Sequence, residues 1–190
     1  MTEFESVTLN WTVALEPGDF FLAEDDDIYR VPAVYICETV YPTRHVVYVG
    51  RTREFLTRLR DHIVATLGLT YWLRDENGSF AFEPKAGAAF VADLRRMEDL
   101  QAMAADSIRR MRWLFAEAET TALPFLEGIL IRHVKQMERG GLTIDGLPIE
   151  SDNGNLGTAP TAPVEVRNDG ASRAVELLGE KIAWPMEAAA

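Results

Sequence analysis

The chain has one cysteine, few basic residues and no long apolar run, and each shortage excludes a class of protein. Its single thiol, Cys37, cannot form an internal disulfide, which excludes the disulfide-stapled scaffolds of secreted domains. No segment reaches the roughly 18–20 apolar residues that cross a bilayer. The first ten residues, MTEFESVTLN, lack the basic flank and apolar block of a secretory signal. We therefore expect a cytoplasmic protein without a membrane partner.

Basic charge is scarce overall but concentrated in one place. The chain has 19 Lys and Arg against 30 Asp and Glu, a net charge of −11, whereas a generic nucleic-acid binder is usually basic. Residues 1–30 and 139–190 carry net charges of −7 and −4, and residues 31–138 are neutral. Within that neutral part, residues 44–60 hold five arginines and one glutamate. The acidic flanks therefore surround a local basic patch.

Hydrophobic periodicity and turn residues predict an alternation of short strands and helices. Pro42-Thr43 separates two apolar runs, and Asn77-Gly78 is a strong hairpin signal. In chain order we predict a strand at 7–15, hairpin arms at 33–40 and 45–50 and a helix from about Thr52 to Leu67. A hairpin around Asn77-Gly78, a helix at 88–110 and a strand at 111–118 follow. The last elements are a helix at 123–137 stopped by Gly140-Gly141, a strand at 164–167 and a helix at 172–184.

This order predicts an α+β fold, with a small three-stranded antiparallel sheet and helices packed against it. We expect a core domain at residues 31–138 that contains an inserted hairpin and helix at 67–110. Residues 1–30 would form an acidic extension with one extra strand. Residues 139–190 would form a loop-rich extension with a short helix, because the segment SDNGNLGTAPTAP has turn composition and no periodicity.

Several polar side chains lie at positions that suit a catalytic or metal-binding site. Tyr35 and Tyr48 lie on adjacent hairpin arms, so both hydroxyls can face one side of the sheet. Arg58 and His62 are four residues apart and share a helix face. Glu127 stands in the apolar segment LPFLEGILIRHV, where a carboxylate is costly unless it is paired or binds a cation. Taken singly, each has a structural explanation, as sheet filler, helix surface or ion-pair partner.

Together these residues carry a resemblance to a known family. The segments AVYI and VYVGRTREFLTRLRDHI resemble the signature of the GIY-YIG nucleases, with Tyr35 and Tyr48 at the two signature tyrosines. Arg58 and His62 stand at the helical arginine and the histidine one turn later. FLEGILIRHVK is similar to the family helix with the metal-binding glutamate, which places that role on Glu127. Ala33 departs from the pattern, because it stands where the family has a glycine.

The resemblance implies an endonuclease that hydrolyses phosphodiester bonds in DNA. Glu127 would hold one Mg²⁺ or Mn²⁺, Arg58 would brace the phosphate oxygens, and Tyr35 would take a proton from the attacking water. Tyr48 and His62 would position water and phosphate, and His62 is an alternative base. Further candidates for positioning substrate or water are Gly50, Arg51, Asn153 and Asn155.

A second interpretation comes from another class of protein. The same fold can serve as a binding or regulatory module without catalysis, whose acidic flanks face a protein partner. The presence of every catalytic residue type favours the enzyme, and the net charge of −11 favours the module. A third hypothesis is a toxin or defence nuclease that its acidic flank restrains.

Overall fold

The computed structural model describes residues 5–21, 29–84 and 94–185, which form five α-helices and ten strands. The helices are α1 (Pro17–Phe21), α2 (Phe55–Leu67), α3 (Met97–Arg110), α4 (Leu123–Arg139) and α5 (Ser172–Leu178). The strands are β1 (Glu5–Trp11), β2 (Ala33–Tyr41), β3 (Arg44–Thr52), β4 (Leu73–Arg74), β5 (Phe80–Phe82), β6 (Met111–Glu117), β7 (Thr143–Ile144), β8 (Leu147–Ser151), β9 (Val164–Gly170) and β10 (Lys181–Trp184).

Eight of these strands form one mixed sheet in the order β10-β9-β1-β6-β2-β3-β8-β7, and β4 pairs with β5 in a separate hairpin. The α+β class predicted from the sequence is confirmed. The predicted three-stranded sheet is wrong. The three expected strands, β6-β2-β3, form the antiparallel centre, and strands from both predicted extensions continue the sheet on either side. The extensions are therefore integral to the sheet.

The β2–β3 hairpin has two different faces because side chains alternate along a strand. In its register Tyr35 lies opposite Gly50, and Cys37 lies opposite Tyr48. We call the face formed by these four residues the tyrosine face. The other face, the valine face, carries Val34, Ile36, Val47 and Val49, all buried.

A different helix covers each face. On the tyrosine face, α2 packs Phe55 and Leu59 into a cluster that contains Trp113. On the valine face, α4 packs Leu126 and Leu130 into the larger core. Both helices have an apolar stripe at three- to four-residue spacing, and burial of that stripe against the sheet is what stabilises them. The sheet thus separates the residues of α2 from those of α4.

The segment after α4 is more regular than the sequence indicated. Strands β7 and β8 form a hairpin around Asp145 and Gly146, whose φ angles of 53° and 78° suit a tight hairpin turn. No strand is predicted there, although Asp-Gly between apolar residues is a hairpin signal. The helix predicted at 172–184 ends at Leu178, because Gly179 adopts a φ of 74°, and the following residues form β10. That part of the prediction is wrong.

The loop between β8 and β9 packs directly on α4. A β-carbon at Gly128 would overlap the carbonyl oxygen of Thr158, so only glycine fits at this helix position. Arg132, one turn later on α4, donates hydrogen bonds from Nη1 and Nη2 to the carbonyl oxygens of Leu156 and Gly157. These contacts fix the loop against the helix that carries Glu127.

Two predicted regions lie partly outside the described residues: the acidic extension at 1–30, of which 1–4 and 22–28 are not described, and the helix predicted at 88–110, of which 88–93 are not described. The described part of that helix, α3, begins at Met97. Within the described ranges, no helix has the length and apolarity that a membrane span requires.

Candidate active site and adjoining pocket

The hydroxyl of Tyr35 is the centre of a hydrogen-bonded cluster with Arg58 and His62. Arg58 Nε donates to Tyr35 Oη at 3.1 Å, and Tyr35 Oη lies 3.0 Å from His62 Nε2. Because the guanidinium is a donor only, the hydroxyl oxygen accepts from it, and the direction of the bond between Oη and Nε2 follows the tautomer of His62. The structure thus brings together three of the residues selected from the sequence. We call them the Tyr35 cluster.

The electrostatics of the cluster favour a neutral imidazole and a neutral phenol. Burial, and secondarily the charge of Arg58, lowers the pKa of His62 to about 4. At pH 7 the ring is therefore neutral and carries one proton, on either Nδ1 or Nε2. Burial raises the pKa of Tyr35, whose side chain is fully enclosed. Of the two groups, the imidazole is the better proton acceptor.

The lowered pKa of His62 predicts a pH-dependent stability. The unfolded chain protonates this histidine below about pH 6.5, whereas the folded protein does not until about pH 4, so folding stability falls as the pH drops through this window. We expect the wild type to lose about 3 kcal/mol more than His62→Gln between pH 7 and pH 4. Urea unfolding of both proteins across this range measures the difference. Parallel stability curves would contradict the prediction.

Tyr35 is held in place by its neighbours on the tyrosine face. Its ring centroid lies 5.7 Å from that of Trp113 and 5.9 Å from that of Phe55. A β-carbon at Gly50 would overlap the Tyr35 ring and hydroxyl, so the absence of a side chain there makes room for the phenol. Tyr48 is half-buried, and its ring centroid lies 5.4 Å from that of His62. Tyr48 therefore borders the cluster on its more open side.

Glu127 lies on the other face of the sheet. It projects from α4, which covers the valine face, and its Oε2 accepts a hydrogen bond from Arg51 Nε at 2.8 Å. Arg51 directly follows Gly50, so its side chain leaves β3 on the face opposite to Tyr48 and Gly50. The structure therefore pairs Glu127 with Arg51 and separates both from the Tyr35 cluster by the thickness of strand β3 at Gly50.

The metal expected from the sequence has one candidate ligand at this position. Within the described ranges, no group of three or more His, Cys, Asp or Glu residues is arranged to hold a metal ion. The Glu127 side chain is 20% exposed, and Mg²⁺ commonly keeps several waters around one or two carboxylates. A hydrated divalent cation therefore fits Glu127, in competition with Arg51.

The two candidate asparagines differ in what they bind. Asn153 is buried, its Oδ1 accepts from the backbone N–H of Val49, and its Nδ2 donates to the carbonyl of Val49. It continues the pairing of β3 beyond the end of β8 and so positions the strand that carries Tyr48 and Gly50. Asn155 is exposed and accepts from the N–H of Gly157 within its own loop.

A cavity of about 530 Å³ adjoins the Tyr35 cluster on the tyrosine face. It lies between the sheet, α2, α3 and the β4–β5 hairpin, and its lining includes His62 of the Tyr35 cluster and the neighbouring Tyr48. We call it the aromatic pocket, because its walls include Tyr41, Tyr48, His62, Tyr71, Trp72 and Phe80.

The pocket residues Tyr71 and Arg74 were not selected from the sequence. The Tyr71 ring centroid lies 5.4 Å from that of His62. Arg74 is buried and forms ion pairs of 2.7 Å with Glu150 and Asp152. The Asn77-Gly78 turn fixes the inserted hairpin, in which Tyr71 precedes β4 and Arg74 ends it, but nothing local in the sequence shows that this hairpin packs on α3 and beside the end of β8.

The comparisons add no relative to this description. Searches against protein-family models, curated proteins and solved structures find no match to the chain.

Proposed function

We propose that the protein is a metal-dependent endonuclease of the GIY-YIG type, which hydrolyses phosphodiester bonds in DNA. The proposal rests on the hydrogen-bonded line Arg58–Tyr35–His62 beside Tyr48. These four side chains combine a fixed positive charge, a neutral proton acceptor and two hydroxyls in one place. Such groups can stabilise negative charge on a phosphate and take a proton from the attacking water.

Arg58 stabilises charge on the phosphate in this proposal. Its Nε is bonded to Tyr35, and its terminal nitrogens carry no hydrogen bond to any residue in the described part of the chain. A planar guanidinium can present these nitrogens to two non-bridging oxygens, where negative charge increases in the transition state. The bond to Tyr35 fixes the orientation of the guanidinium in advance.

His62 is the proton acceptor, and Tyr35 orients it. Tyr35 Oη is enclosed and bonded to Nε2, whereas His62 lines the adjoining cavity, so in the tautomer with its proton on Nε2 the imidazole accepts the proton of the attacking water at Nδ1, and the phenol stays neutral. This division of roles agrees with the raised pKa of Tyr35 and with the neutral imidazole of His62. It moves the role of base from Tyr35, favoured on the sequence alone, to His62.

Glu127 would hold the divalent cation. When bound, such an ion polarises the phosphate and stabilises the leaving 3′ oxygen. The protein's own part is to release Glu127 from Arg51, whose side chain is 44% exposed and is then free to contact the DNA backbone.

A binding module that does not cut DNA is the second candidate. The observations that favour it are the ion pair that already neutralises Glu127 and the position of Glu127 on the opposite face from the Tyr35 cluster. In this case the basic patch and the aromatic pocket bind a ligand, and the Tyr35 cluster only stabilises the fold.

Nicking of supercoiled plasmid separates the two candidates. We expect nicking by the wild type with Mg²⁺ and none with EDTA. Glu127→Gln keeps the shape of the side chain and removes the charged ligand, so its rate should fall by at least about 100-fold. Glu138→Gln, an exposed position on the same helix, is the matched control and should cut normally. DNA binding without nicking would establish the module instead.

A further inference from the structure

The aromatic pocket has an open aromatic mouth. Trp72 and Phe80 are 53% and 56% exposed, although large apolar side chains are usually covered. Their rings meet edge to face at a centroid distance of 5.1 Å, and Arg74 lies 3.9 Å from the centroid of Phe80. The rings are thus held by their neighbours while they remain accessible. Such surfaces suit the stacking of a planar ligand.

The charges around the pocket disfavour a phosphate as its occupant. Arg74 is compensated by Glu150 and Asp152, and Glu150 is also paired with Arg44 at 2.7 Å. Two cations therefore face two carboxylates, and the wall has no excess of positive charge to bind an anion. A neutral planar group fits this wall better.

One polar side chain of the pocket wall, Asp152, can accept a hydrogen bond from the edge of a nucleobase. Asp152 Oδ1 accepts from Arg74, and its Oδ2 carries no hydrogen bond among the described residues. The Asp152 side chain is 40% exposed, and its backbone N–H is fixed to the carbonyl of Val47. A carboxylate oxygen so placed accepts from an exocyclic amine, as carboxylates do from the N4 amine of cytosine.

We propose that the aromatic pocket binds one unstacked nucleobase of the DNA strand whose phosphate lies at the Tyr35 cluster. The inference rests on the proposed function, because His62 belongs to both places and Tyr48, which borders the cluster, also lines the pocket, so the two residues link base to phosphate. Its volume of about 530 Å³ exceeds that of one base, which leaves room for the attached sugar. The substrate class is accordingly DNA with an unpaired or easily unpaired base, such as a single strand or a mismatch.

Fluorescence anisotropy with a labelled single strand of about 12 nucleotides tests this inference. EDTA prevents cutting, so binding is measured independently of catalysis. We expect Trp72→Ala to weaken binding by about tenfold, since it removes one stacking surface, and Trp72→Phe to retain most of the affinity. Leu142→Ala removes a side chain that is equally exposed, at 52%, but lies outside the pocket, and it should bind normally.

A mismatch within a duplex provides the second readout. The wild type should bind mismatched duplex more tightly than fully paired duplex, and Trp72→Ala should lose this preference. Equal affinities of wild type and Trp72→Ala for the single strand, or no binding by the wild type, would overturn the pocket assignment. Neither result would alter the plasmid-nicking result. Binding that depends on Trp72 without any nicking would support the pocket and refute the nuclease.

Discussion

Replacing Arg58 with alanine is expected to slow plasmid nicking by about 100- to 1000-fold, the usual cost of removing one preorganised donor to a developing negative charge. The variant also loses the Arg58–Tyr35 hydrogen bond, which frees the phenol from its fixed orientation. Because Arg58 is only half-buried and the core of α2 is formed by other residues, the variant should stay folded. Single-turnover nicking rates with Mg²⁺ measure the effect.

Arg53→Ala is the matched control for Arg58→Ala. Arg53 belongs to the same basic patch and is exposed, so its loss should weaken DNA binding slightly and reduce the salt dependence of binding by about one counterion. It should leave the nicking rate at saturating enzyme unchanged. If the two variants cut equally fast, Arg58 acts only as part of the patch, and the proposed chemistry fails.

Arg173→Ala is expected to lower the free energy of unfolding by about 3–5 kcal/mol, although it is remote from the Tyr35 cluster. Arg173 bonds both carboxylate oxygens of Glu38, a residue with no solvent exposure whose Oε1 also lies 2.8 Å from His45 Nδ1. Without the guanidinium, the buried carboxyl group of Glu38 loses the partner that bonds both of its oxygens. Urea unfolding monitored by circular dichroism measures the loss.

Two further variants test whether the stability loss in Arg173→Ala comes from the buried pair of Arg173 and Glu38. Arg167→Ala removes an arginine that is 62% exposed and bonded to Glu165 at the surface, and it should cost less than about 1 kcal/mol. Adding Glu38→Gln to Arg173→Ala should recover part of the loss, because the unpaired buried charge is gone. A loss of similar size in Arg167→Ala and Arg173→Ala would show that the buried pair contributes nothing special.

The local parts of the fold were predictable from the sequence. The hairpin at residues 33–52 and helix α2 follow from alternation, a Pro-Thr turn and a three- to four-residue apolar stripe. The Asn77-Gly78 turn correctly placed the inserted hairpin, since Gly78 adopts a φ of 84°. In each case the signal lies within about ten residues of the element that it specifies.

The breadth of the sheet was not predictable in this way. Strand β1 (Glu5–Trp11) pairs with β9 (Val164–Gly170). Nothing in the sequence of either segment indicates that the other is its pairing partner. The helix predicted at 172–184 includes KIAW, whereas the ladder with β9 and the turn at Gly179 make this segment a strand. Long-range pairing overrode the local periodicity.

The candidate site shows the same contrast between residues placed by local signals and residues placed by long-range packing. Tyr35, Arg58 and His62 meet because their positions depend on one hairpin and one short connection, both read correctly from the sequence. The position of Glu127 depends on which face of the sheet α4 covers, and that is decided by the core as a whole. Its pairing with Arg51 therefore had no local signal, and whether it holds a metal ion stays a prediction for the nicking assay.

The position of β1 between β6 and β9 determines when this strand can find its pairing partner during translation. Strand β1 leaves the ribosome first among the strands described, yet seven of its residues pair with β9, and with β6 the register gives only Trp11 with Ala116. The nascent chain must therefore carry an almost unpartnered strand until the residues up to Gly170 have emerged. During that interval its open edge can pair with other chains, so slow translation of the last third should favour aggregation.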